Sequence, residues 1–308
     1  MEDYTTSTTP ASEEEKFGGQ IGVKGELYLT VDKDEYRAGD EVTGRVLNTP
    51  LANPYEIGEY LYPFTFTLPA ELPGVLDAQS LGGDVSSLHA TIKYTLKATI
   101  KVQGRFISDL EASSDITVRA NLEPPRDFHT VERTVSKALR WLGCLPRGIC
   151  HLAVSMTRDV FSLGESPLVE CFVNNHTAAV GVHHVKVQLL QKVTLHHPHG
   201  VADVCTRVLV EAKCPGPRAG DLLECPVQLA TDGHVKFPTT TGRFLSCSYF
   251  IALECDFAAL TNSVRIELPI TILPPPQTFN AAATTITDLS ASMASTTSVS
   301  RPQITLFG

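Results

Sequence analysis

Between residues 20 and 273 of this 308-residue chain, apolar side chains recur at every second position in short runs broken by Gly, Pro, Asn and Asp. Examples are GELYLTV (25–31), HATIKYTLKATIKV (89–102), HVKVQLLQKVTL (184–195), TRVLVEA (206–212) and LSCSYFIALEC (245–255). Successive side chains on an extended backbone point to opposite faces, so runs of this kind are half-buried strands. A parallel sheet would need helical patterns between its strands. These are almost wholly missing, and the texture predicts antiparallel β-sandwiches.

The chain also repeats itself. DEYRAGDEVTGRV (34–46) returns as DVFSLGESPLVECF (159–172), with an aromatic, Tyr36 or Phe161, three residues before a Gly followed by an acid, Gly39-Asp40 or Gly164-Glu165. Gly58 followed by EYLYPFTFTLP answers Gly220 followed by DLLECPVQLA, and the strand centred on Tyr94 answers the one centred on Tyr249. Single cores stop growing near about 250 residues, so two copies of one sandwich suit this length. The copies differ in one interval: Gly39 and Gly58 stand 19 positions apart, Gly164 and Gly220 stand 56 apart, and the difference is 37 positions. At about 5 to 6 residues per strand plus turns, that difference is worth roughly three strands. The first sandwich is therefore expected to lack them, leaving an exposed sheet edge and an uncovered apolar face. Either the sequence reflects an incomplete gene model or splice form, or the first half is unstable or completed by a partner.

One stretch departs from the alternating texture. In FHTVERTVSKALRWL (128–142), Phe128, Val131, Val135, Leu139 and Leu142 fall at steps of three and four, with Arg133, Lys137 and Arg140 available to a wet side. That spacing predicts a short amphipathic linker helix. The expected organisation is a polar disordered tail (1–19), a first sandwich (20–122), the linker with its helix (123–146), a second sandwich (147–273) and a disordered Ser/Thr-rich tail (274–308).

Bulk properties exclude several classes. Hydrophobic content of 43% with 19% charged residues is globular. A net charge of −9 argues against a general nucleic-acid binder, which needs a basic footprint. The opening MEDYTTSTTPASEEEKFGG has no apolar core of the kind a secretory signal needs, and no later stretch approaches about 18 uninterrupted apolar residues. The expectation is a cytoplasmic protein whose eight cysteines are reduced, buried small hydrophobes on strands, as the placing of Cys171, Cys205, Cys247 and Cys255 requires. On the same ground the sequon at Asn175 carries little weight.

With that layout in hand, the residues resemble the arrestin superfamily, and most closely the alpha-arrestins, or arrestin domain-containing proteins. YRAGDEVTGRV, GEYLYPFTFTLPAELPG and IKYTLKATIKV resemble the amino-terminal arrestin domain; LGESPLVECFVNNHT, VKVQLLQKVTL and ELPITIL resemble the carboxy-terminal one. The resemblance implies two tandem antiparallel, immunoglobulin-like sandwiches, no catalytic centre, no cofactor, and adaptor work. Such a protein binds the cytoplasmic tails of membrane proteins and directs endocytosis, sorting or ubiquitination, with recruitment to the plasma membrane or endosomes. Alpha-arrestins often recruit WW-domain ubiquitin ligases through Pro-Pro-x-Tyr; here Pro275-Pro276 is followed by Gln277 and Thr278. The alternative within trafficking is a structural subunit of a retromer-like coat. An extracellular adhesion module would need a secretion signal and oxidised cysteines.

The candidate binding residues come from alternation. Over 91–101, Ile92, Tyr94, Leu96, Ala98 and Ile100 share one strand face, and Lys93, Lys97 and Lys101 share the other, with Arg105 beyond. Three ammonium groups on one face are a candidate site for phosphorylated tails or anionic lipid; the opposing expectation is a solvated face balanced by acids on the neighbouring strand. His196, His197 and His199, and Cys144, Cys150 and His151, lack the paired spacings of structural zinc sites, so no metal is expected. Cys144 has the setting of a reversible acylation site. No Gly-rich phosphate loop, Gly-x-Ser-x-Gly elbow or His-Glu-x-x-His occurs, so no enzymatic reading has residues to carry it.

Overall fold

A computed structural model describes residues 25–50, 58–81, 88–101, 109–123, 129–197, 203–258, 260–275 and 303–307. Among them every regular element is a strand. The first half contains β1 (Gly25–Val31), β2 (Glu35–Arg37), β3 (Glu41–Pro50), β4 (Tyr60–Thr67), β5 (Leu76–Leu81), β6 (Leu88–Ile92), β7 (Tyr94–Ile100) and β8 (Leu110–Arg119). The rest comprises β9 (Val131–Trp141), β10 (Leu145–Met156), β11 (Val160–Ser162), β12 (Leu168–Asn174), β13 (Val182–Leu195), β14 (Asp203–Pro215), β15 (Leu222–Gln228), β16 (Thr240–Thr241), β17 (Leu245–Phe257), β18 (Val264–Leu273) and β19 (Gln303–Phe307).

Each half pairs two sheets of the same order. In the second, β15-β12-β10-β9 faces β11-β18-β17-β13-β14; in the first, β4-β3-β1 faces β2-β8-β7-β19. Pairing is antiparallel apart from the short edge strands β2 and β11, which run parallel to β8 and β18. Alternation delivers the inward residues. Along β7, Tyr94, Leu96, Ala98 and Ile100 are buried, while Thr95, Lys97 and Thr99 lie between them on the outer face. The first core gathers Tyr36, Val42, Leu68, Tyr94, Leu96, Ile116 and Val118. The second is larger and also takes in Leu76, Ala78 and Ala90 from the β5–β6 hairpin, so the first half inserts apolar side chains into the second half's core. Gly74 N–H donates to Thr240 Oγ1 at 2.6 Å across the same junction.

The repeat holds at the level of single hydrogen bonds. Arg37 N–H donates to Asp40 Oδ2 at 2.8 Å, and Ser162 N–H to Glu165 Oε2 at 3.0 Å. Ala38 N–H reaches the Arg119 carbonyl at 2.9 Å, and Leu163 N–H reaches Leu273 at 3.0 Å; each acceptor is the last residue of its strand. Gly39 and Gly164 take φ of 95° and 87°, the left-handed turn position that glycine occupies without steric cost. Tyr94 stands opposite Ile116, and Tyr249 opposite Ile270.

Two expectations are corrected. The linker helix does not form: residues 131–141 are the strand β9, paired antiparallel with β10. Val131, Val135 and Leu139 are four residues apart, and four is a whole number of strand repeats as well as about one helical turn, so the stripe does not distinguish the two. Arg133 and Lys137 share a strand face with that stripe but stay exposed to water. Arg133 Nη1 donates to the Glu267 carbonyl at 2.6 Å and Lys137 Nζ to the Ser263 carbonyl at 2.8 Å, tying the β9 edge to the opposite sheet. Leu142 leaves the stripe altogether, turning at φ 53° and standing half exposed; Phe128 lies outside the described residues. Second, the interval that is longer in the second half adds two strands without a described counterpart, β13 and β14, rather than three. They run to 14 and 13 residues, well beyond the average length used for the conversion. The expected tail at 274–308 includes one described strand, β19, paired with β7.

Candidate functional site

Of the three lysines singled out by alternation, Lys97 lies on the outer face of β7 and Lys93 and Lys101 flank that strand, and their environment is not a free cationic patch. Lys93 Nζ lies 2.9 Å from Asp115 Oδ2, and Lys97 Nζ lies 2.7 Å from Glu111 Oε1. Both acids are on β8, and Glu111 stands two residues diagonal to Ser113, the register partner of Lys97, a separation long side chains span easily. Thr95 Oγ1 also donates to Asp115, and these hydrogen bonds, led by that from Lys93, hold the Asp115 carboxyl below the usual range. Exposed pairs of this kind add little stability but cancel much of the local field. Lys101 is exposed just past the end of β7 and makes no ion pair among the described residues. Arg105 lies outside them.

The histidine and cysteine groups separate in space. His196 shares a hydrogen bond with Ser246 Oγ at 3.1 Å and His197 with Asp203 at 2.8 Å; His199 is outside the described residues. No group of three or more metal-ligating side chains comes together among the described residues. Cys144 is exposed at the β9–β10 turn, whereas Cys150, Cys171, Cys247 and Cys255 are buried. Burial pushes the Cys171 thiol up to about 12. Burial also pushes Cys214 up to about 11, with help from Cys225 Sγ 3.4 Å away. Cys171 and Cys214 are thus neutral packing groups at ordinary pH. Asn175 is fully buried and its Nδ2 donates to the carbonyls of Val180 and Arg218, so its side chain is structural.

Sequence reasoning missed a cleft between the two halves. Asp77 and Ala78 of β5 face Gln191 of β13, Arg207 of β14, and His234, Lys236 and Phe237 from the loop before β16. Arg207 comes from β14 while His234 and Lys236 come from one loop, so no linear pattern joins all three. Its one sequence signal is the cluster His234-Val235-Lys236 in a turn region. Among the described residues no helix is long and apolar enough to cross a membrane.

Comparison with known proteins shows what the chain is similar to. Residues 146–277 match the family model for the arrestin (or S-antigen) C-terminal domain, a span that runs from the start of β10 to beyond the end of β18. Across 267 residues the chain is 24% identical to Arrestin domain-containing protein A of Dictyostelium discoideum, an alignment that takes in 83% of this chain. Residues 146–277 are thus similar to the arrestin C-terminal domain, and most of the chain is similar to an arrestin domain-containing protein. This arrestin-like chain spans 42% of that relative's length. Its first half, which the C-terminal model does not cover, repeats the sheet order of the half that it does.

Proposed function

We propose that this arrestin-like protein is a non-enzymatic cytoplasmic adaptor that binds extended cytoplasmic tails of membrane proteins and links them to sorting, endocytic or ubiquitination machinery. The observation that carries this reading is the arrestin C-terminal match over β10–β18, set beside a first half of the same turn geometry and sheet order. Arrestin-family proteins work as adaptors, and a pair of sandwiches joined through a shared core offers loops, edges and an intervening cleft rather than a reacting centre. Lys101, with Lys93 and Lys97 once their carboxylate partners are displaced, supplies an anionic tail or lipid head group with ammonium contacts. The cleft residues Arg207, His234 and Lys236 supply a second cationic surface.

The test is equilibrium binding of the full chain to a panel of membrane-protein tail peptides, each with and without phosphoserine, over a salt series. The expected result is salt-sensitive binding of a subset, strengthened by phosphorylation and weakened by Lys93→Gln/Lys97→Gln/Lys101→Gln. A chain that binds no tail and instead purifies from cells in a fixed stoichiometric, salt-resistant complex overturns the adaptor reading in favour of a coat subunit.

A further inference from the structure

Two thiol pairs cross the second sandwich from sheet to sheet. Cys150 of β10 and Cys255 of β17 share a hydrogen bond, and both are wholly buried on inner strands. The other pair is Cys214 of β14 and Cys225 of β15, whose thiol donates to Cys214 Sγ at 3.4 Å. β14 and β15 are each the outermost strand of a sheet, so this pair stands at the rim of the sandwich, and both residues keep part of their surface in solvent. A small solute therefore has access to the rim pair and none to the central one.

The connection between the two cysteines is held in place. Within residues 216–221, the Arg218 carbonyl accepts from Asn175 Nδ2 at 3.2 Å, the Pro217 carbonyl from Val182 N–H at 2.9 Å and the Asp221 carbonyl from Asn175 N–H at 3.0 Å. These bonds fix it against the end of β12 and the start of β13, so the facing of the two sulfurs belongs to the fold rather than to a loose loop. The sulfurs of a disulfide stand about 2.0 Å apart, so from 3.4 Å side-chain rotation has a gap of about 1.4 Å to close. Cys171 lies opposite Cys225 in the β12–β15 register, but the Cys225 sulfur is directed at Cys214 instead.

We infer that Cys214 and Cys225 form a redox modification site, at which hydrogen peroxide converts the thiol pair into a disulfide that staples the two sheets along their free edges. In the first step the Cys225 sulfur takes an oxygen from the peroxide: an S–O bond forms, the O–O bond breaks and water leaves, giving a sulfenic acid. In the second, the Cys214 sulfur displaces that hydroxyl: the S–S bond forms, the S–O bond breaks, and the hydroxyl leaves as water with the Cys214 proton. The two thiols lose two electrons to the peroxide, and a reducing thiol returns them by exchange. No main-chain ladder joins β14 to β15, so the disulfide is a new tie between the sheets. It also restricts the unfolded chain by closing a loop between cysteines eleven positions apart. The site does not rest on the adaptor reading: a chain that binds no membrane-protein tail would still have it.

The test treats the full chain with hydrogen peroxide, blocks the remaining thiols and maps the tryptic peptides. Cys214 leaves in CPGPR (214–218) and Cys225 in AGDLLECPVQLATDGHVK (219–236), so their disulfide is read as one linked pair of peptides. The expected result is that pair, a loss of two free thiols, recovery of both with dithiothreitol, and Cys150 and Cys255 still free. The oxidised chain is expected to melt about 5 °C or more above the reduced chain, a gain absent from Cys214→Ser and from Cys225→Ser. Absence of a linked pair, or linkage of 219–236 to the Cys171 peptide (159–186), overturns the inference, and mapping of the unmodified chain needs no variant to fold. So does a link that forms only between molecules, read as a covalent dimer whose yield rises with protein concentration. An unchanged melting temperature in the linked chain overturns the stapling role.

Discussion

Tyr94 and Tyr249 perform one task in the two halves. Tyr94 Oη donates to the Pro73 carbonyl at 2.8 Å and Tyr249 Oη to the Phe237 carbonyl at 2.6 Å, each pinning the loop that enters its strand pair. Tyr249 also accepts from Gln191 Nε2 at 3.2 Å and is wholly buried. Replacing Tyr94 by Phe should cost about 1 kcal/mol, and replacing Tyr249 by Phe nearer 2 kcal/mol, since the second leaves two buried partners unmatched. Urea unfolding midpoints measure the difference, and equal losses would contradict it. Leu142 poses the opposite case. It occupies the first central position of a turn in which Leu142 and Gly143 both have positive φ (53° and 76°) and Cys144 N–H returns to the Trp141 carbonyl at 3.3 Å. Asn-Gly is the preferred pair for such a turn, and a leucine held there is strained. Leu142→Asn is expected to stabilise the chain by about 1 kcal/mol, read as a raised melting temperature. This turn was not legible because its sequence, Leu-Gly, lacks the Asn or Asp that marks a tight hairpin.

At the scale of elements, β10 shows how one glycine shapes a strand. Its register with β9 slips between Pro146 and Ile149, and Gly148 sits in that irregularity at φ 101°. A Cβ at Gly148 would collide with the Thr177 carbonyl oxygen and lie 2.7 Å from Ala178 Cα. Gly143, at φ 76°, has nothing within 4 Å of an added Cβ. Gly148→Ala should therefore cost about 3 kcal/mol, combining backbone strain with a collision against main chain, while Gly143→Ala should cost about 1 kcal/mol from strain alone. Denaturant titration of both variants checks the ratio. The strands themselves were largely legible. GELYLTV coincides with β1, and LSCSYFIALEC lies within β17, because alternation of buried and exposed residues is a local property of an extended chain. β9 was not legible for a related reason: apolar residues four apart satisfy helix and strand alike, and only pairing with β10 and the reach of Arg133 and Lys137 to the carbonyls of Glu267 in β18 and Ser263 just before it settle the choice.

For the whole molecule, buried thiols set a response to alkali. The ordinary thiol value is 9.0, and burial moves Cys171 to about 12 and Cys214 to about 11. The folded chain binds these protons more tightly than the unfolded chain, so the stabilisation is complete below pH 9 and is lost as pH rises toward 11 and 12. Unfolding midpoints should fall across that window, and Cys171→Ala/Cys214→Ala should flatten the fall; a variant with an unchanged slope would show that other groups govern it. The candidate lysine site was legible only as a list of positions. Alternation placed Lys93 and Lys97 on one face, but Glu111 and Asp115 arrive from β8, whose register is set by core packing. The amino-acid sequence alone determined the strand character, the duplicated turn around Gly39 and Gly164, and the shortfall in the first copy, since each is written in local periodicity or in direct comparison of two segments. Tertiary structure decided that residues 131–141 extend rather than coil, that the β5–β6 hairpin enters the second core, and that Gln303–Phe307 fills the edge of β7. Those outcomes depend on contacts between residues far apart in the chain, where the free energy of burying a face or pairing an edge outweighs local preference.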